Sequence, residues 1–325
     1  MAQTRDWEFP QGMQPKVGDV AFDLETALSA VVSLRAEVPE DAFTASILGT
    51  ERDGNGVVIR ADGLVLTIGY LVTEAERVWL TTNQGTALPG HVVAYDQATG
   101  FGLVQALGRL SLPALERGSS AATAVGEPVI LASHGGRRHA VDARIIAKRE
   151  FAGYWEYLLD EALFTAPAHP HWGGAALIGR DGKLVGIGSL LIQEAEGERK
   201  STEGNMVVPI DLLEPILDDL LRLGRTSQPP RPWLGMYTAE STEGLVVASL
   251  ARGGPAHRAQ IRLGDRVLEV AGRPVKGLAD LFRLIWALGP AGTEVTLTLS
   301  REGDLFQVAI RSADRDSFLK KPHFH

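Results

Sequence analysis

Two stretches of this chain, VVIRADGLVLTIGY (57–70) and ALIGRDGKLVGIGS (176–189), each run apolar into an Asp-Gly pair and apolar out again. Glycine supplies the positive φ that tight hairpin turns require, and β-branched runs on either side suit a pleated surface, so both read as β-hairpins. They belong to a series of short apolar runs divided by turn residues: RVWLTT, GHVVAYD, GLVQAL, EPVILAS and ARIIAKRE. That pattern predicts an all-β barrel or sandwich from about Phe22 to Leu223, not alternating strands and helices. The likeness of the two hairpins suggests two related barrels.

A chain of 325 residues exceeds what one core usually serves, so at least two domains are expected. Hydrophobic residues at 45% and charged residues at 22% fit a globular protein and argue against disorder or fibre. The formal net charge is −8, and the longest basic cluster is GRRH at 136–139, which disfavours a nucleic-acid partner. Cysteine is absent, which excludes disulfides, thiolate nucleophiles and Cys-based zinc sites. No run approaches the roughly 18 apolar residues of a membrane span. The start, MAQTRDWEFPQGMQPKVGDV, lacks the apolar core of a signal peptide. The expectation is a cytoplasmic chain, or a periplasmic one if a leader has been removed.

A helix is predicted at IDLLEPILDDLLRLGR, with Asp211 as its N-cap and Gly224 as its stop. The proline-rich TSQPPRP that follows reads as a semi-rigid linker. Beyond it, strands WLGMYT, GLVVASL, RVLEVAG, EVTLTLS and LFQVAIR surround a helix GLADLFRLIWALG. The tail SADRDSFLKKPHFH has no periodicity and is expected to fray. The division is therefore an N-terminal arm (1–24), a β-rich domain (25–225), a linker (226–232), a second domain (233–312) and a tail (313–325).

The second domain contains WLGM and then GGPAHRAQIRLGDRVLEVAGRPV, a string that resembles the permuted PDZ domain of the HtrA family. The β-rich domain is in turn similar to that family's trypsin-like domain. GNGVVIRADGLVLTIGYLV resembles the hairpin that carries the catalytic His, VVAYDQATGFGLVQAL the segment that carries the Asp, and GGAALIGRDGKLVGI the second barrel. The resemblance implies a mainly β fold: a trypsin-like double β-barrel followed by a PDZ domain, β-sandwich-like with helices.

Carried over residue by residue, the resemblance puts Tyr70 where the family has its catalytic His, Gly100 where it has the orienting Asp, and Gly173 where it has the nucleophilic Ser. A phenol with a pKa near 10 does not accept a proton at neutral pH as imidazole does. Acyl transfer on this template needs a hydroxyl, a base beside it and a group that orients the base. All three positions are degenerate, so no catalytic residue is assigned. Ser133 and Ser189 are the nearest alternative hydroxyls for a relocated nucleophile, although Ser133 and the adjacent His134 should face opposite sides of a strand.

His169 and His171 form an H-x-H that could hold a metal, or are simply exposed loop histidines; with no carboxylates at matching spacing, neither a metal nor any cofactor is expected. Trp172 could plug the former catalytic pocket or anchor a partner, and Tyr154, Trp155 and Tyr157 could form an aromatic cluster around it. Trp7 and Phe9 lie where the family often has aromatics that join three protease domains, which implies a homo-trimer or assembly with an active relative. They could equally pack on their own barrel.

In the PDZ-like region, Trp233, Leu234, Gly235 and Met236 match the carboxylate-binding loop and its following strand, whose N–H groups can receive a C-terminal carboxylate. Leu278, Leu281, Phe282 and Ile285 recur at three and four along the helix, so some should face the groove and others the core. The resulting expectation is an HtrA-like pseudoprotease that binds polypeptide segments or protein C-termini as a scaffold, adaptor or chaperone-like protein. The alternatives are an active HtrA-type endopeptidase with a relocated nucleophile, or a metal-binding protein that uses the loop histidines.

Overall fold

The computed structural model describes residues 7–196, 200–242 and 244–320. Residues 1–6 of the arm and 321–325 of the tail lie outside the described residues. The chain divides into two compact units, one of residues 1–149, 161–226 and 320–325, the other of residues 150–160 and 227–319.

The first unit opens with α1 (Leu24–Ser29), capped by the Asp23 carboxylate on the Thr26 N–H at 3.1 Å. Its first barrel comprises β1 (Val31–Glu37), β2 (Glu51–Val58), β3 (Leu64–Ile68), β4 (Arg77–Thr81), β5 (Ala87–Tyr95) and β6 (Phe101–Ala106), with the short α2 (Ala45–Leu48) between β1 and β2. The second comprises β7 (Pro128–Ala132), β8 (Ala140–Gly153), β9 (Tyr157–Ala166), β10 (Ala176–Ile178), β11 (Leu184–Glu196) and β12 (Lys200–Pro209). Around the first ring the order is β1-β2-β3-β6-β5-β4, and around the second β7-β8-β9-β12-β11-β10, so the two barrels share one topology. Closure removes free sheet edges.

The two look-alike hairpins do fold as antiparallel pairs around Gly63 (φ 86°) and Gly182 (φ 78°). They are not equivalent, however. One joins the second and third strands of its barrel, the other the fourth and fifth. Their similarity reports shared turn chemistry, with Asp62 and Asp181 each accepting the N–H two residues on.

Burial follows the strand period where one face meets solvent: in β4, Val78 and Leu80 are buried while Trp79 is 42% exposed. β3 is buried at every residue. The second barrel's core collects Leu131, Val141, Ile145, Leu163, Leu177 and Val207, and Phe9 joins it with Trp7 and Met13 packed alongside. The N-terminal aromatics therefore seat on their own barrel.

The predicted helix forms as a 3-10 turn at Ile210–Leu212 followed by α3 (Glu214–Leu223), which ends at Gly224 with φ 70°. Asp211 is not its N-cap. The Asp211 carboxylate instead accepts the N–H groups of Ser120 and Ala121 at 3.1 and 2.8 Å and the Ser119 hydroxyl at 3.1 Å. Competing backbone donors from another loop outbid the local cap.

The second unit is a sheet of β13 (Met236–Ser241), β14 (Gly244–Leu250), β15 (Arg266–Val270), β17 (Glu294–Arg301) and β18 (Asp304–Arg311), with β16 (Arg273–Pro274) paired to β15. The helices α4 (Pro255–Arg258) and α5 (Leu278–Trp286) complete it. One sequence expectation changes here. The linker residues have partners of their own, the Pro230 carbonyl accepting the Ala291 N–H at 2.8 Å and Arg231 lying 4.1 Å over the Trp286 ring. The tail does not fray before residue 319: Ala313 and Trp233 exchange two backbone hydrogen bonds at 3.0 Å, Asp314 caps a 3-10 turn at Arg315–Ser317, and Phe318 packs 4.9 Å from Trp233. These partners satisfy the backbone that a solvated tail would leave to water.

Candidate functional site

Two places carry the chemistry singled out above, one in each unit. In the first unit, Tyr70 follows β3 in a 3-10 turn at Gly69–Leu71. Arg52, itself 4% exposed, holds that turn by donating from Nη1 to the carbonyls of Tyr70 and Thr73 at 2.7 and 2.9 Å. Its Nη2 reaches the Thr44 hydroxyl at 2.7 Å, and its Nε the Gly49 carbonyl at 3.2 Å. Burial lowers the Arg52 pKa, while Glu74 partly offsets the effect. The turn is thus fixed from behind by a buried cation.

The Tyr70 hydroxyl donates to the Ser189 carbonyl at 2.9 Å. A Cβ built on Gly173 would stand 2.9 Å from that same hydroxyl oxygen. Tyr70 and Gly173, placed together by sequence, are therefore neighbours, and the phenol fills the space beside the glycine. Burial pushes the phenol pKa above its ordinary value, with the Trp172 side chain pulling weakly the other way. Gly100 lies on the loop before β6 with φ 83°, and its carbonyl accepts the Gly69 N–H at 2.6 Å. Backbone alone ties this third position to the turn.

The loop that carries Gly173 is clamped by Asn55, which sequence reasoning missed. Its Nδ2 donates to the carbonyls of His171 and Gly173, both at 3.0 Å, its backbone N–H donates to Gly173 O at 2.8 Å, and its Oδ1 accepts the His134 N–H at 2.9 Å. Loop N–H groups are spent internally as well: His171 on His169 Nδ1 at 3.0 Å, Gly174 on Gly188 O at 2.9 Å and Ala175 on Trp172 O at 3.0 Å. Trp172 is half-buried.

His169 is fully buried, which corrects the expectation of an exposed pair, whereas His171 is exposed. Both imidazole nitrogens of His169 are engaged, Nε2 donating to His139 O at 2.9 Å and Nδ1 accepting from His171. That leaves it no lone pair for a metal. Burial lowers its pKa to about 4, more than the His139 carbonyl raises it. Ser133 Oγ approaches the carbonyls of His139 and His134 at 3.2 and 3.4 Å, while His134 Nε2 lies 3.2 Å from Thr82 O, so the two side chains turn to different partners. Ser189 is 4% exposed and sits at an irregularity in β11 between Gly188 and Leu190.

In the second unit, the N–H groups of Leu234, Gly235 and Met236 converge on one carboxylate, with Gly235 at φ 68°. Successive N–H groups turned inward by a left-handed residue form an anion cradle. The occupant is the Glu156 side chain, whose Oε1 accepts from Gly235 at 2.8 Å, Met236 at 3.2 Å and Leu234 at 3.3 Å. Glu156 is 7% exposed and adopts φ 60°. Burial pushes its carboxyl up to about 7, against the pull of these three N–H groups and Arg315.

Leu278, Leu281, Phe282 and Ile285 are all buried in one cluster, and Leu158 is part of it. Tyr154, Trp155 and Tyr157 do form an aromatic group, with Trp155 stacked on Tyr157 at 5.7 Å and Tyr154 5.1 Å from Trp155. The group lies within residues 150–160, part of the second unit. Glu156 gave no signal in the sequence beyond being an acid among aromatics.

Two six-stranded barrels of one topology, followed by a sheet with an anion cradle before its first strand, define a trypsin-fold protein with a PDZ domain. Residues 54–187 match the family described as "Trypsin-like peptidase domain", and residues 232–311 match "PDZ domain". The chain belongs to the HtrA family. It is 27% identical over 263 residues to a "Probable periplasmic serine endoprotease DegP-like" of Pseudomonas fulva, covering 77% of this chain and 53% of the relative. It is 22% identical over 324 residues to the "Serine protease Do-like HtrA" of Bacillus subtilis, covering 89% and 70%. The chain spans about half the length of the first of these.

Among solved structures, an HtrA-type protease AlgW with a decapeptide superposes with a TM-score of 0.53 at 18% identity, covering 93% of this chain and 100% of that one. A serine endoprotease from Yersinia pestis gives 0.52 at 22%, covering 91% and 99%. These likenesses establish the fold. Among the described residues, no helix is long and apolar enough to cross a membrane.

Proposed function

We propose that this chain is an HtrA-type pseudoprotease, which holds polypeptide segments or C-termini through its PDZ domain as a scaffold, adaptor or chaperone-like protein without hydrolysing them. One observation carries the reading. Where the family template has a serine beside an imidazole, this chain has a glycine 2.9 Å, measured from its would-be Cβ, from a phenol already hydrogen-bonded to Ser189.

The chemistry follows from those groups. A glycine offers no attacking atom, and a phenol whose pKa is raised by burial accepts no proton near neutrality. Gly100 supplies nothing to orient a base. The N–H groups of His171, Gly174 and Ala175 are committed within the protein, which further supports a cleft not kept for substrate. The named relatives are serine endoproteases, so the test is direct: incubate the purified chain with casein, with and without a fluorophosphonate probe. No turnover and no labelling are expected. Cleavage blocked by the probe would instead assign the chain an active serine nucleophile.

A further inference from the structure

We infer that Glu156 is a built-in competitor for the PDZ site, an internal carboxylate that occupies the cradle meant for a peptide's terminal carboxylate and must leave before a ligand binds. The inference rests on the second unit being a peptide-binding PDZ domain and concerns how that site is controlled.

Three observations converge on it. The first is the donor set: a terminal carboxylate entering the loop would need the N–H groups of Leu234, Gly235 and Met236, and Glu156 holds all three. The second is the company Glu156 keeps. Leu158, two residues on, is buried with Leu281, Phe282 and Ile285 of α5, so the tip of the β8–β9 hairpin supplies an acid to the cradle and an apolar side chain to the helix, as a peptide end would. The third is backbone strain. Glu156 holds φ 60°, a conformation L-residues rarely adopt, so the tip is held in the turn that delivers that side chain.

The fastening at the rim is of the releasable kind. Arg283 of α5 pairs with Glu150 at 2.5 Å and Asp160 at 2.6 Å, one on each side of the tip, but the guanidinium side chain is 48% exposed and the pairs are screened by solvent. Tyr154 adds an edge contact to Tyr237 with ring centres 6.4 Å apart. The ligand that fits is a peptide with a free α-carboxylate and an apolar last residue, which would replace Glu156 in the cradle and Leu158 on the helix.

The test uses the full chain and a fluorescein-labelled decapeptide pool ending in Leu, Val or Phe, with the same pool C-terminally amidated. Glu156→Gly removes the carboxylate and accepts the positive φ, so the turn is kept. The variant is expected to bind the free-carboxylate pool at least about tenfold more tightly than the unmodified chain, and the amidated pool no better. Equal affinity of the two proteins for the free-carboxylate pool would overturn the inference and leave the peptide-binding reading standing. Binding by neither protein would overturn both. Should Glu156→Gly fail to fold, Arg283→Ala decides the matter, since it loosens the rim without touching the cradle. A gain of about two- to threefold supports displacement, and unchanged affinity overturns it.

Discussion

The Tyr70 phenol donates to the main-chain carbonyl of Ser189 at 2.9 Å, joining the turn after β3 to the irregular point of β11. Tyr70→Phe deletes the donor and leaves that carbonyl short of a partner. A loss of about 1–2 kcal/mol is expected in denaturant unfolding, with no change in proteolysis.

Restoring the serine alone should not restore chemistry. In Gly173→Ser the new Cβ stands 2.9 Å from the phenol oxygen, so Tyr70 must give way, at a cost of about 1–3 kcal/mol. Adding Tyr70→His relieves the crowding. The double variant should still resist fluorophosphonate, because Gly100 sits at φ 83°, where an aspartate would be strained, and nothing orients the new imidazole. Stoichiometric labelling of the double variant would contradict this.

Acid should loosen the Gly173 loop first. Burial depresses the His169 pKa from 6.5 to about 4, so its contribution is complete above pH 6.5 and lost as pH falls towards 4. The full loss is about 3 kcal/mol. Proton titration of the His169 ring by NMR, compared with stability between pH 7 and 4, checks this, and His169→Gln should flatten the profile.

The cradle should respond in the opposite direction. Burial raises the Glu156 carboxyl from 4.5 to about 7, opposed by the three N–H groups and by Arg315, while Arg283, Glu150 and Asp160 stand at the rim. A raised carboxyl pKa means that docking is fully supported below pH 4.5 and loses support as pH climbs to 7. Hydrogen exchange at the Gly235 amide, corrected for intrinsic rate, should be faster at pH 8 than at pH 5.

Arg52→Met tests the support behind the cleft. The substitution frees the carbonyls of Gly49, Tyr70 and Thr73 and strips Thr44 of a partner. Each buried acceptor left without its donor costs about 1–3 kcal/mol, so a clear loss of stability is expected. A midpoint unchanged in urea would show that Tyr70 is held by other means.

Much of the fold was legible because turn chemistry is local: Asp62-Gly63 and Asp181-Gly182 declare their hairpins whatever surrounds them. Tyr70 and Gly173 could be paired from their flanks, and they do meet. What the sequence hid depends on partners far along the chain. Asp211 has the right chemistry for a helix cap, but loop amides some 90 residues earlier take it. The tail looked structureless because its order comes from Trp233, not from any period of its own. Glu156 finds its donors 78 to 80 residues away, and nothing local marks a glutamate as a ligand.

A competitor carried on the same polypeptide cannot be diluted away. The Glu156 carboxylate faces its seat at an effective concentration on the order of millimolar, whatever the abundance of the protein. If Glu156 competes as proposed, weakly held termini, however numerous in a crowded compartment, would be screened out by that threshold, and only tails with intrinsic affinity to spare would register. Selectivity here would come from the difficulty of entry as much as from the fit once inside.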